Sequence, residues 1–172
     1  MLSSRVSPRA LVLWAVALLA VAALVVFGLA GSKGRIGRTA PALPRESLSG
    51  APVTLAALRG HPALVTFWAS WCGPCAHEAP ALESFSKGLH GRATLVGVNW
   101  SDPVLANARG FVKRYGWTFS NLRDPEGTVG LSYGVTGLPT TFVLDSSGRV
   151  RATLRGPQTQ QTLQTALSSS GA

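Results

Sequence analysis

Both cysteines of the 172-residue chain fall in Trp71-Cys72-Gly73-Pro74-Cys75. Two thiols separated by two residues at the start of a helix come within disulfide reach. Unpaired backbone N–H groups at such a start favour thiolate over thiol, so Cys72 is predicted to be the attacking nucleophile. Cys75, one turn further in and expected to be buried, is predicted to resolve the mixed disulfide that Cys72 forms. Gly73 permits the tight turn and Pro74 stiffens it. Half a zinc site would need two further ligands, and beyond these thiols the chain offers as classical partners only His61, His77 and His90. A purely structural bridge would close so few residues that it would add little stability. Copper(I) delivery on the same two thiolates remains an alternative, but His77 is poorly phased as a third ligand. Peroxide reduction fits a dithiol less well than exchange with protein disulfides.

The elements around this motif must deliver it. Ala63 to Trp68 is an apolar, β-prone run, and Thr94 to Val98 is a second; both predict buried central strands. Between them, Ala79, Leu82, Phe85 and Leu89 recur at spacings of three and four, which predicts a helix from Cys72 to about Leu89, kinked or divided at Pro80. A second helix is expected over Pro103–Tyr115, with Asp102 as N-cap and Gly116 at its end. Thr140–Leu144 and Val150–Leu154 flank Asp145-Ser146-Ser147-Gly148, a hairpin signature, and a last helix is expected from Pro157 to about Leu167. The pattern is that of an α/β protein with a mixed central sheet flanked by helices.

Val65-Thr66-Phe67-Trp68-Ala69-Ser70-Trp71-Cys72-Gly73-Pro74-Cys75 resembles the active-site strand and helix of thioredoxins. More narrowly, it resembles the membrane-anchored, extracytoplasmic TlpA-like and DsbE-like thioredoxins of cytochrome c maturation. Leu48-Ser49-Gly50-Ala51-Pro52-Val53-Thr54-Leu55 is similar to the amino-terminal hairpin that these proteins add. Gly137-Leu138-Pro139-Thr140-Thr141-Phe142 is similar to their cis-proline loop. The resemblance implies a cis Pro139, with the backbone of Leu138 free to pair with a substrate strand and Trp71 shielding the thiolate face. It implies that Glu78 is a buried acid near the disulfide, able to exchange a proton with Cys75. Cytoplasmic thioredoxins carry an aspartate where this chain has Thr66, so Glu78 inherits the proton-relay role. Trp100 and Ser101-Asp102-Pro103 are candidates for a substrate groove. His77 and the cluster Arg109, Lys113 and Arg114 read as solvated surface.

The formal charge of +9 suggests nucleic acid until it is divided. The first 38 residues hold five Lys/Arg and no acid, leaving eleven Lys/Arg against seven Asp/Glu. That modest excess excludes a nucleic-acid surface as the expected role. Residues 10–30 form an uncharged run of 21, long enough to span a bilayer, and read as an anchor or uncleaved signal behind a short cytoplasmic tail, 1–9. Residues 31–45 read as a flexible tether and 46–172 as the thioredoxin-like domain.

The sequence therefore predicts a single-pass membrane protein whose catalytic domain faces the extracytoplasmic side. It is expected to be a thiol-disulfide oxidoreductase of protein substrates, a monomer that needs no cofactor. Cys-Gly-Pro-Cys is the pair of reducing thioredoxin, so reduction is expected, with oxidation of secreted protein thiols as the alternative. Apocytochrome c is the implied substrate and a membrane electron donor the implied source of reducing equivalents.

Overall fold

The computed structural model describes Trp14 and residues 36–170. Among them, no helix is long and apolar enough to cross a membrane. The predicted anchor, 10–30, lies outside the described residues apart from Trp14, as do the tail 1–9 and residues 31–35.

Six strands form one sheet: β1 (Glu46–Ser49), β2 (Ala63–Trp68), β3 (Thr94–Trp100), β4 (Asn121–Asp124), β5 (Thr140–Leu144) and β6 (Val150–Arg155). Their order is β1-β4-β3-β2-β5-β6. β2, β3 and β4 run parallel, whereas β1, β5 and β6 pair antiparallel to their neighbours. The helices are α1 (Gly73–Gly88), α2 (Leu105–Tyr115), α3 (Thr128–Tyr133) and α4 (Gln160–Ser168). Every residue of β2 is buried, as a parallel strand covered on both faces requires. Alternation then divides its side chains. Leu64 and Trp68 join Leu82, Phe85, Phe111 and Leu163 beneath α1, α2 and α4. Val65 and Phe67 join Val96, Tyr133 and Phe142 on the opposite face.

Several sequence expectations change here. α1 is not divided at Pro80, although proline deprives the Ala76 carbonyl of its helical donor. Pro80 is exposed, and the buried side chains around it, Ala79, Leu82 and Phe85, clamp the helix to the sheet. α2 starts at Leu105 with Val104, not Asp102, at its N-cap, because the Asp102 carboxylate is engaged elsewhere. The amino-terminal hairpin is absent from the described residues. β1 pairs with β4 alone, and the chain after Gly50 runs unpaired so that Leu58 can be buried under the sheet. Residues 36–45 are not tether but packed domain: Thr39 bridges Arg149, and Ala40 and Leu43 are buried.

β4 and α3 went unpredicted. β4 has one apolar residue, Leu122, and so shows no alternation. α3 is too short for a period, yet Asp124-Pro125-Glu126-Gly127 before it is a turn signature, and the Asp124 carboxylate accepts from the N–H groups of Val129 and Gly130 at 3.3 and 2.8 Å.

Gly97 is required by a close approach. A Cβ at Gly97 would collide with the side-chain oxygen of Asn121 and crowd the Trp68 indole nitrogen. That oxygen accepts the buried Trp68 N–H at 3.0 Å, while the Asn121 amide donates to the Phe119 carbonyl at 2.9 Å. Gly97→Ala is expected to destabilise the fold by at least ~2 kcal/mol, read by urea unfolding, because it overpacks the core and orphans buried polar groups.

Candidate active site

β2 ends at Trp68, and the chain turns sharply into α1. The turn is closed by the Cys72 N–H on the Ala69 carbonyl at 3.2 Å, with Ser70 and Trp71 at its centre. Cys72 is the helix N-cap, and its sulfur accepts the Cys75 N–H at 3.1 Å. The two cysteines form a disulfide with Cα atoms 5.3 Å apart. Both are buried, but Cys72 lies between exposed Trp71 and exposed Gly73, whereas Cys75 is enclosed in the first turn against the core.

Glu78 lies one turn beyond Cys75 and is 2% exposed. One carboxyl oxygen accepts the Gln158 N–H at 2.9 Å, and the other has no partner. Burial pushes its pKa up to about 7, against the lowering effect of the Gln158 N–H. Glu83, further along the same buried face, goes the other way. Burial raises it, but the Thr118 N–H and hydroxyl, both at 2.9 Å, and Lys87 outweigh this and hold its pKa below the usual range. Of the two buried helix carboxyls, Glu78 alone keeps an oxygen without a partner.

The Leu138–Pro139 peptide is cis. Thr140 pairs with Phe67, so the register brings Pro139 beside Trp68, at the end of the sheet from which Cys72 emerges. Leu138 is half-buried and packs against the cluster that contains Cys72 and Cys75. Thr66 and Thr141, opposite each other on β2 and β5, share a hydrogen bond at 2.9 Å and are fully enclosed. A neutral pair therefore stands where the thioredoxin aspartate would be.

Trp71 is 60% exposed, and its indole N–H donates to the Ser101 carbonyl at 3.0 Å. Beside it lies an open cleft lined by Ser70, Asn107, Gly110, Phe111 and Arg114. Trp100 does not line this cleft: its indole N–H donates to the Gly127 carbonyl and its ring lies over Gly130, which makes it a packing residue. His77, Arg109, Lys113 and Arg114 are exposed. Glu83 and Asn99 are buried polar residues around the site that nothing in the sequence marks, and Asp102, a candidate for the groove, is instead buried. Among the described residues, no cluster of three His, Cys, Asp or Glu side chains is arranged to hold a metal ion.

A cysteine pair at a strand-to-helix turn, with a cis-proline at the same sheet end, is a thioredoxin-type redox centre, and the Redoxin family model matches residues 35–168. The chain belongs to the Redoxin family. The redoxin is 41% identical over 131 residues to the thiol:disulfide interchange protein HelX of Rhodobacter capsulatus, covering 74% of this chain and 72% of HelX. It is 33% identical to the thiol-disulfide oxidoreductase ResA of Geobacillus thermodenitrificans, covering 78% and 77% of the two chains. Among solved structures, a secreted Mycobacterium tuberculosis disulfide oxidoreductase homologous to Escherichia coli DsbE superposes with a TM-score of 0.66 at 28% identity, covering 74% of this chain and 95% of that one. StoA from Bacillus subtilis gives 0.65 at 27% identity, covering 73% and 96%. The redoxin is a thiol-disulfide oxidoreductase of the DsbE and ResA type.

Proposed function

We propose that this redoxin reduces disulfides of extracytoplasmic proteins, apocytochrome c among them, from a domain held at the membrane by residues 10–30. The observation that carries the reading is Glu78: a buried carboxyl with a pKa of about 7, one helical turn from the buried Cys75 sulfur. In the reduced enzyme, the Cys72 thiolate attacks one sulfur of a substrate disulfide and forms a mixed disulfide. The other substrate sulfur leaves and takes up a proton. Cys75 then gives its proton to the ionised Glu78 and attacks the Cys72 sulfur, closing the enzyme disulfide and expelling the second substrate sulfur as a thiolate, which takes up the proton from Glu78. Two electrons pass to the substrate, whose first sulfur is protonated from water and whose second takes the proton that began on Cys75, and a membrane dithiol donor restores the pair.

The backbone of Leu138, beside cis Pro139, is the proposed edge for a substrate strand, and exposed Trp71 is a further proposed substrate contact. Names of relatives that denote interchange proteins, and one neighbour described as secreted, support the substrate class and the compartment. Equilibration with glutathione tests direction: a reductase is expected near thioredoxin's value of about −270 mV, whereas a value near DsbA's, about −120 mV, would make it an oxidase. A membrane-impermeant maleimide should label Cys72 in intact reduced cells. Labelling only after lysis would overturn the placement.

A further inference from the structure

The loop between β3 and α2 grips the active-site turn at both of its central residues. The Asp102 carboxylate, 2% exposed, accepts the Ser70 N–H at 2.7 Å. The Ser101 carbonyl accepts the Trp71 indole N–H at 3.0 Å. The same Asp102 oxygen accepts the Asn99 side-chain amide at 2.9 Å, which ties the grip to the central strand β3. A carboxylate only accepts, so the Asn99 amide nitrogen must face it, and the Asn99 oxygen is left buried without a partner. Ser101 holds a φ of +50°, a conformation that non-glycine residues seldom adopt, and its N–H donates to the Asp124 carbonyl at 3.0 Å. An orphaned buried oxygen and an unfavourable backbone angle both run against stability. Both accompany contacts that meet the turn delivering Cys72.

We infer that Asp102 is a positioning residue for Cys72: it holds the Ala69–Cys72 turn so that the first cysteine sits at the helix N-terminus, where backbone N–H groups stabilise its thiolate. Asp102 touches no reacting atom. It acts through the Ser70 N–H, and the inference rests on the redox reading of the cysteine pair. Releasing that N–H lets the turn relax and moves the sulfur away from the donors that favour its charged form.

Three variants test this, read by the rate of attack on a small aromatic disulfide and by the thiolate absorbance titration of the reduced protein. Asp102→Ala removes the acceptor and should slow attack about ten-fold while raising the thiolate midpoint by about half a pH unit or more. Ser70→Pro removes the donor at the second residue of the turn, where proline is well accommodated, and should shift both readouts the same way. Asp102→Asn keeps an acceptor oxygen without the charge and should restore both to near wild type. Should Asp102→Ala lose its cooperative thermal transition, the other two variants decide. Wild-type values in both Asp102→Ala and Ser70→Pro, or in Ser70→Pro alone where alanine does not fold, would overturn the inference. So would an Asp102→Asn variant that fails to restore them, since charge rather than grip would then be at work. If the wild-type pair itself did not cycle between dithiol and disulfide, the redox reading would fall instead.

Discussion

Cys75→Ser protein will capture substrates as stable mixed disulfides, and its catalysed turnover of protein disulfides will fall by at least about 10³-fold. The reason is positional. Cys72 caps α1, lies beside exposed Trp71, and has the Cys75 N–H aimed at its sulfur at 3.1 Å. A substrate disulfide therefore meets Cys72 first, and a charge left there is stabilised by the helix start. Cys75 is enclosed and meets only the sulfur of its partner, so its role is to break the adduct. Serine cannot displace a thiolate from sulfur, and the adduct persists. Cys72→Ser should abolish turnover equally but capture nothing. Non-reducing electrophoresis of the two variants after exposure to an oxidised protein substrate separates them. Adducts on Cys72→Ser, with none on Cys75→Ser, would reverse the assignment of attacker and resolver.

This assignment was legible in the sequence because it depends on local spacing. The Cys-Gly-Pro-Cys turn, the apolar run of β2, the three-and-four stripe of α1 and the Asp145-to-Gly148 hairpin are each written within a dozen residues. The hairpin shows why such signals carry through: burial raises Asp145, but Ser147, the Arg149 N–H and Arg151 outweigh this and hold it at about 2, so the residue that marks the turn also ties it. Contacts between distant segments were not legible. Asp102 reads as a helix cap because Asp-Pro precedes an apolar period; that its carboxylate accepts from Ser70, 32 residues earlier, follows only from β2 and β3 lying side by side. Nothing in the sequence marks Glu83: Lys87 is its neighbour at i+4, but only the tertiary fold brings Thr118 onto it. The unpredicted β4 belongs to the same class, since its place in the sheet comes from pairing with β1 and β3 and not from its composition.

Glu78→Gln is expected to stabilise the oxidised protein at alkaline pH and to impair it as an enzyme. The folded carboxyl has a pKa of about 7, above its ordinary value of 4.5, so the folded state binds its proton more tightly than the unfolded chain does. Below about pH 4.5 both states are protonated and the group exerts no pH-dependent effect. Between about 4.5 and 7 the unfolded chain ionises while the folded one does not, and stability falls by about 1.4 kcal/mol for each pH unit. Above 7 the loss is complete, so this group alone lowers wild-type stability by about 2 to 3 kcal/mol between pH 5 and 8. Glutamine does not ionise and should flatten that slope, as urea unfolding at the two pH values would show. The lowered carboxyls, Glu83 and Asp145, add stability above the unfolded carboxylate pKa and lose it in acid, so their effect is largely complete by pH 5. The same substitution removes the proposed proton acceptor for Cys75, and resolution of the mixed disulfide should slow by about 10²-fold while attack by Cys72 on a small disulfide is little changed. A buried acid that destabilises its fold at neutral pH and speeds one step of exchange would thus be a functional group kept against packing. A variant equally stable at pH 5 and 8 that still resolves at the wild-type rate would reduce Glu78 to a structural contact for the Gln158 N–H.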